Sequence, residues 1–243
     1  MHTFEFNHKK LSDIGAVIND KPSYVLSVKE LDFTALPYKS GDIITDKKRF
    51  KNLSISYKVS SYPLFCSYTE QEFVKVLSEW LLTSYDYTIL RDTYNPGYFR
   101  KAVCTGISNP VVEASNIVQT TVTFNCDPFL YSNSGLRTIT INSMSAQFKN
   151  PEKWDSEPII KLNGLGDFII TINDDTITAK LNGSEITIDK PNENVYDSNG
   201  ISCNDKVTAI RLPYCKPGIN TIAAATENGS NFSAKIIPNW RRL

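Results

Sequence analysis

The chain has 243 residues, with 26 Lys and Arg balanced by 26 Asp and Glu, and a sequence pI of about 6.7. At this length about 70% of the extended chain's surface can be buried, enough for one large β domain or two ordinary ones. With 41% hydrophobic and 21% charged residues, disorder, collagen and coiled coil are excluded. Zero net charge argues against a broad electrostatic grip on nucleic acid or anionic lipid. Apolar runs such as Phe168–Ile172 fall far short of the ~18 residues that a membrane helix needs. The opening Met1-His2-Thr3-Phe4-Glu5 lacks a basic stretch followed by an apolar one, so no secretion signal is expected.

Cysteine and histidine narrow the chemistry. Cys66, Cys104, Cys126, Cys203 and Cys215 are odd in number and form no CxxC pair, which reads as buried free thiols and not a disulfide framework or zinc ribbon. His2 and His8 are the only histidines, so Ser-His-Asp, Cys-His and His-rich metal sites lack their usual parts. No enzyme, cofactor or metal is expected.

In chain order, strands are predicted at Tyr24–Leu31 and Leu53–Val59. Thr69-Glu70-Gln71-Glu72 is a capping box. Phe73, Val76, Leu77, Trp80 and Leu81 follow on one helical face, with Trp80 read as core. Further strands are predicted at Tyr87–Leu90, Tyr98–Cys104 and Ile117–Cys126, the last alternating between a core face and an open face. The Ser/Asn/Gly cluster between Asp127 and Gly135 reads as a seam between domains 1–130 and 131–243. Residues 1–130 carry 19 of the 27 aromatics and residues 131–243 carry 14 of the 21 asparagines, so composition changes at the same place. Beyond the seam, Pro158–Leu162 and Phe168–Ile172 are predicted strands. A turn at Asn173-Asp174-Asp175 leads to Thr176–Leu181, and Asn182-Gly183 leads to Glu185–Asp189 as a β-meander. Strands at Val207–Leu212, Gly218–Ala225 and Phe232–Ile237 complete a sandwich or jelly roll.

Several fragments invite a chemical reading. Gly164-Leu165-Gly166 lacks the third glycine and following helix of a phosphate cradle, and is expected to be a β-turn. Asp174-Asp175 reads as turn chemistry and not as a carboxylate pair. The basic run Lys47-Lys48-Arg49-Phe50-Lys51 is read as a solvated loop entering a strand, able to meet an acidic surface on a neighbouring subunit. In the hairpin around Asn95-Pro96-Gly97, Tyr94, Tyr98, Phe99 and Arg100 are residue types enriched at protein interfaces. The candidate subunit-interface residues are therefore Tyr94, Tyr98, Phe99, Arg100, Lys47, Lys48 and Arg49. The terminal Trp240-Arg241-Arg242 is expected to dock.

An ordered set of motifs spans nearly the whole chain: Phe4-Glu-Phe-Asn7 with Ser12-Asp-Ile-Gly15, Leu36-Pro-Tyr-Lys-Ser-Gly41, the helix after Thr69, and Asp92-Thr-Tyr-Asn-Pro-Gly-Tyr-Phe-Arg-Lys-Ala102. Phe124-Asn-Cys-Asp-Pro-Phe129, Pro158-Ile-Ile-Lys-Leu-Asn-Gly164 and Pro238-Asn-Trp-Arg-Arg242 complete it. In this set the chain resembles the distal tail (Dit) proteins of long-tailed phages and prophages of Gram-positive bacteria. The resemblance implies an N-terminal β domain with one helix that assembles into a homohexameric ring, and a galectin-like C-terminal sandwich outside that ring. It also implies a structural, non-enzymatic role at the virion tail tip after synthesis in the host cytoplasm. The implied partners are further copies of the chain, the tail tube protein, a tail-associated lysin or fibre protein, and a receptor-binding protein. Neither nucleic-acid recognition nor a membrane belongs to this reading. Gly164 to Pro238 leaves no room for the carbohydrate-binding insert of some relatives. An alternative of a different class is a carbohydrate-binding adsorption protein acting through the C-terminal sandwich, although only eight aromatics lie beyond residue 130.

Overall fold

The computed structural model describes residues 2–23, 26–62, 68–113 and 117–243. It is mainly β, with one α-helix among the described residues. The chain forms two compact units, Met1–Leu130 with Leu243, and Tyr131–Arg242.

The first unit contains β1 (Phe4–Phe6), β2 (Lys9–Lys10), β3 (Ala16–Ile18), β4 (Lys29–Ala35), β5 (Asp42–Phe50), β6 (Leu53–Ser61), α1 (Glu70–Leu81), β7 (Thr88–Asp92), β8 (Tyr98–Ile107), β9 (Val111–Glu113) and β10 (Ile117–Cys126). Its main sheet has the order β2-β1-β7-β8-β10-β6-β3. The helix begins where the capping box places it: Thr69 Oγ1 accepts from Glu72 N at 3.3 Å, and Glu72 Oε2 accepts from Thr69 N at 2.9 Å. The bonds that the carboxylate accepts from Thr69 N and from Thr69 Oγ1 hold the Glu72 carboxyl below its ordinary pKa. Phe73, Leu77, Trp80 and Leu81 are buried, and α1 lies against β8 and β10. Trp80 is core, its Nε1 donating to the Phe6 carbonyl at 3.0 Å. Phe4 anchors an aromatic cluster with Tyr57, Trp80 and Phe124 at centroid distances of 5.2, 5.7 and 5.5 Å. Strand β10 has the predicted bounds, and its even-numbered residues are buried.

The predicted strand at Tyr24–Leu31 is displaced. Tyr24 and Val25 lie outside the described residues, and the strand is Lys29–Ala35, its start set by pairing of Lys29 with Phe50. The basic run is also corrected: Lys47, Lys48, Arg49 and Phe50 belong to β5 and not to a loop before it. Among the described residues, strands β4 and β5 pair only with each other, as a two-stranded ribbon separate from the main sheet.

The second unit follows β11 (Leu130–Ser132). It contains β12 (Ile139–Ile141), β13 (Ser145–Asn150), β14 (Ile159–Ile172), β15 (Asp175–Asn182), β16 (Ile186–Asp189), β17 (Asn194–Asp197), β18 (Val207–Ala209), β19 (Gly218–Ala225), β20 (Ser230–Ile237) and β21 (Arg241–Arg242). Strand β14 organises the unit. Its first half pairs with β20 and β16, its second half with β19 and β15. The two halves thus belong to two sets of strands, and both bury side chains in one core containing Leu162, Phe168, Ile170, Ile188 and Ile222.

Two predictions change here. Gly164-Leu165-Gly166 is not a turn: it is the point inside β14 where the strand exchanges partners, marked by a register shift between Asn163 and Leu165. Gly166 has φ +108°, and a Cβ there would come within 2.7 Å of Gly229 Cα, so only glycine fits. Asn182-Gly183 does not close a meander either. Strands β15 and β16 do not pair with each other; both run antiparallel to β14, β15 along Leu165–Ile172 and β16 along Ile159–Leu162. The Asn-Gly step is a jog in a continuing edge, held by Gly183 N donating to the Gly164 carbonyl at 2.8 Å.

The C-terminal segment docks within this unit. Ser132 N donates to the Trp240 carbonyl at 2.8 Å, Arg241 Nε donates to the Asp155 carbonyl at 2.8 Å, and its guanidinium pairs with Glu157 at 2.9 Å.

A Cβ at Gly229 would lie 2.5 Å from Thr226 Oγ1 and 2.6 Å from Cζ of the buried Phe168, whereas Gly106 has nothing within 4 Å. Gly229→Ala is therefore expected to destabilise the protein by about 2–3 kcal/mol through overpacking. Gly106→Ala should leave stability unchanged or raise it by up to about 1 kcal/mol. Urea titration of both variants checks the contrast.

Candidate assembly surface

In the ribbon, Leu31 pairs with Asp46 but Lys29 with Phe50, so Lys47, Lys48 and Arg49 lie in a bulge opposite Glu30. Lys48 takes a positive φ of 58°, and its backbone N donates to Asp46 Oδ1 at 2.8 Å. Lys47 Nζ lies 3.0 Å from Asp32 and 3.6 Å from Glu30, and Arg49 Nε donates to Glu30. The Arg49 bond, helped by the two nearby cations, holds the Glu30 carboxyl below its usual pKa. The basic run is thus largely neutralised by its own ribbon. The ribbon also leaves apolar side chains in solvent. Phe33 and Ile44, 60% and 61% exposed, form a direct cross-strand pair beside the exposed Ile43, and Tyr38 at the tip is fully exposed.

Tyr94, Tyr98, Phe99 and Arg100 come together on the β7–β8 hairpin. Asp92 Oδ1 accepts from the backbone N of Tyr94 and of Asn95, both at 2.9 Å, and Asp92 Oδ2 accepts from Tyr57 Oη at 2.8 Å. This carboxylate fixes the turn, with Gly97 at φ +84°. Tyr94 is half-buried and stacks on the His2 ring at 4.4 Å; burial, with Asp92 and Asp20 nearby, pushes its phenol pKa up. Phe99 is only 3% exposed and lies beneath the Arg91 guanidinium. It offers little surface to a partner. Tyr98 and Arg100 are half-buried, and Arg100 Nε and Nη1 are buried without a hydrogen-bond partner among the described residues. A cavity of about 10 Å³ between Arg100, Asp92 and Tyr57 has the size of a single water.

A second surface element begins the same tyrosine-rich stretch, Tyr85–Ala102, although the sequence does not mark the groove that it forms. Tyr85 and Tyr87, 94% and 50% exposed, line a groove of about 380 Å³ with Asp86, Val103, Thr105 and Asn125. Ser84 Oγ donates to the Asp86 carbonyl at 3.0 Å, which pins the turn. Asn52 Nδ2 donates to Tyr87 Oη at 2.5 Å and to Asn125 Oδ1 at 3.0 Å, which ties the groove to the base of the ribbon. Its three segments are too far apart in sequence for any local pattern to mark them.

The crystal structure of the SPP1 Dit (gp 19.1) protein, described as a paradigm of the hub adsorption apparatus in phages infecting Gram-positive bacteria, matches at a TM-score of 0.71 and 14% sequence identity. The match covers 97% of each chain. The chain has a Dit-like fold. No protein-family model and no curated protein matches it.

In the second unit a groove of about 490 Å³ is lined by Asp167, Ile169, Thr178, Lys180 and Thr226–Asn228, above the buried Phe168. Phe168 is the one aromatic in its lining, so the groove presents no open ring on which a sugar could stack. No group of three or more His, Cys, Asp or Glu that could hold a metal occurs among the described residues. Asp174 and Asp175 diverge, Asp174 pairing with Lys216 and Asp175 with Arg211.

Cys104, Cys126, Cys203 and Cys215 are free and buried; Cys66 lies outside the described residues. Burial raises all four thiol pKa values, those of Cys126 and Cys215 to about 12. The thiolate is the reactive form. In a Cys66→Ser background the native protein at pH 8 should therefore react negligibly with a thiol-specific disulfide reagent, and release four equivalents of chromophore once unfolded in guanidinium.

Proposed function

We propose that the chain is a structural hub protein of a phage tail tip, in which the first units of six copies close into a ring. The observation that carries this reading is the Dit-like fold, matched over 97% of both chains. The ring would join the tail tube protein to a tail-associated lysin or fibre protein and to a receptor-binding protein, in the virion, after synthesis in the host cytoplasm. The second unit, built on the shared strand β14, would serve as a galectin-like sandwich.

The surface chemistry supports an assembly role. A two-stranded ribbon is at best marginal in water, and this one exposes Phe33, Ile43, Ile44 and Tyr38. Head-to-tail contacts between identical subunits close into a ring when the rotation per subunit divides a full turn. The hairpin residues Tyr94, Tyr98 and Arg100 and the ribbon residues Lys47, Lys48 and Arg49 are the proposed contact positions. Phe99 supports them from beneath. A structural role also suits a chain with no histidine beyond position 8.

Negative-stain imaging of the protein mixed with its tube and tail-fibre partners is expected to show sixfold rings at the tail tip. Rings of another symmetry, or tail tips without this protein, would overturn the reading. Tyr98→Ala and Arg100→Ala should each weaken assembly about tenfold or more, the scale of a contributing interface residue. Each should lower the melting temperature of the isolated chain by no more than a few degrees.

A further inference from the structure

The groove at Tyr85–Tyr87 has what the groove of the second unit lacks, namely open aromatic rings beside polar groups. Tyr85 and Tyr87 are 94% and 50% exposed. Val103 and Asn125, which line the same groove, form a cross-strand pair between β8 and β10. From Asn125 the same sheet face continues to Ser54 and, one row on, to Thr123 and Ser56, whose hydroxyls lie 3.0 Å apart. These side chains are short and uncharged, so the sheet next to the groove is open and polar.

Three polar groups of the groove have hydrogen-bonding capacity that the protein leaves unused among the described residues. The Asp86 carboxylate meets neither a cation nor a donor, because the bonds to this residue go to its backbone carbonyl. The Asn125 amide uses only its oxygen, accepting from Asn52, which leaves two N–H donors. Tyr87 Oη accepts from the same Asn52 amide and keeps its own proton to donate. No lysine or arginine lines the groove.

A ligand that suits this set must offer donors and acceptors together on an uncharged frame with an apolar face. A pyranose does. Each of its hydroxyls both donates and accepts. Where those hydroxyls are equatorial, the ring faces present C–H hydrogens, which meet the negative face of an aromatic ring. A proline-rich peptide brings acceptors but almost no donors for Asp86, and a phosphate-bearing polymer is repelled by that carboxylate.

We propose that the Tyr85–Tyr87 groove binds a neutral oligosaccharide of pyranoses with equatorial hydroxyls. The sugar faces lie against the two rings, Asp86 accepts from sugar hydroxyls, and Asn125 and Tyr87 donate to them. At about 380 Å³ the groove is within the size range of small-ligand sites. It is also preorganised, since Ser84 pins the turn and one Asn52 amide holds both Tyr87 and Asn125, which limits the entropy lost on binding. The groove lies wholly in the first unit and needs no second copy, so binding and ring closure stand or fall separately.

The test titrates the isotope-labelled full chain with cellotetraose and with chitotetraose, each to about 10 mM, and follows backbone amide signals by NMR. At least one saccharide is expected to shift the signals of Tyr85–Tyr87, Val103–Thr105 and Asn125, with a Kd of about 1 mM or tighter. Tyr85→Ala and Asp86→Asn should each weaken binding about tenfold or more. Tyr85→Phe, which keeps the ring, should retain affinity, and Tyr38→Ala, at the fully exposed tip of the ribbon, should leave it unchanged. Melting temperatures should match wild type, because the Tyr85 and Asp86 side chains are exposed and bond to nothing among the described residues. No shift with either saccharide, shifts that map elsewhere, or undiminished binding by Tyr85→Ala overturns the proposal. So does capture of a proline-rich peptide by a groove that ignores both saccharides.

Discussion

A strand has two hydrogen-bonding edges, and in the second unit one strand uses each of them twice. The 14 residues of β14 meet β20 and β16 along the first half, then β19 and β15 along the second. Partners can change only where the backbone bends and another chain comes close, and Gly164 and Gly166 provide that point. A side chain at Gly164 would crowd Phe168 at 3.1 Å and Leu181 at 3.2 Å, and one at Gly166 would collide with the Gly229 backbone. Both halves of the strand then bury alternate residues in the same core, so one covalent segment carries two sets of strands. The neighbouring jog at Asn182-Gly183 lets the opposite edge follow the bend without reversing.

The ribbon of the first unit is the opposite case. Its two strands satisfy each other along one edge apiece and bury almost nothing, so local hydrogen bonding holds it while its apolar side chains remain uncovered. The charges do not compensate, because Glu30 gathers Lys47 and Arg49 into the bulge and Asp32 takes Lys47. An element of this kind gains stability by being covered, which is why its surface weighs more in the functional argument than the basic run within it.

Sequence reasoning succeeded where the determining contacts are local or where burial is one-sided. The Thr69–Glu72 box marks the helix start because its bonds span three residues. Strands Ile117–Cys126 and Gly218–Ala225 were legible end to end because one face of each is buried. Asn182-Gly183 was misread because the dipeptide reports a local backbone preference, while the identity of the paired strand depends on β14, some twenty residues away. The ribbon gave no alternation to read, since neither of its faces is buried. Of the candidate surface, the tyrosine-rich hairpin was visible as composition. The burial of Phe99 was not, and the groove joining Tyr85–Tyr87, Val103, Thr105 and Asn125 exists only once three distant segments are brought together.

The buried thiols have a consequence for how the protein meets a change of redox surroundings. Cys104, Cys126, Cys203 and Cys215 are sealed inside their units, and burial raises the pKa of each thiol. An external oxidant reaches them only after the surrounding core opens, so the four sulfurs act as small apolar packing groups under reducing and oxidising conditions alike. The shape of each unit is then set by folding, with no oxidative maturation for these four positions to await.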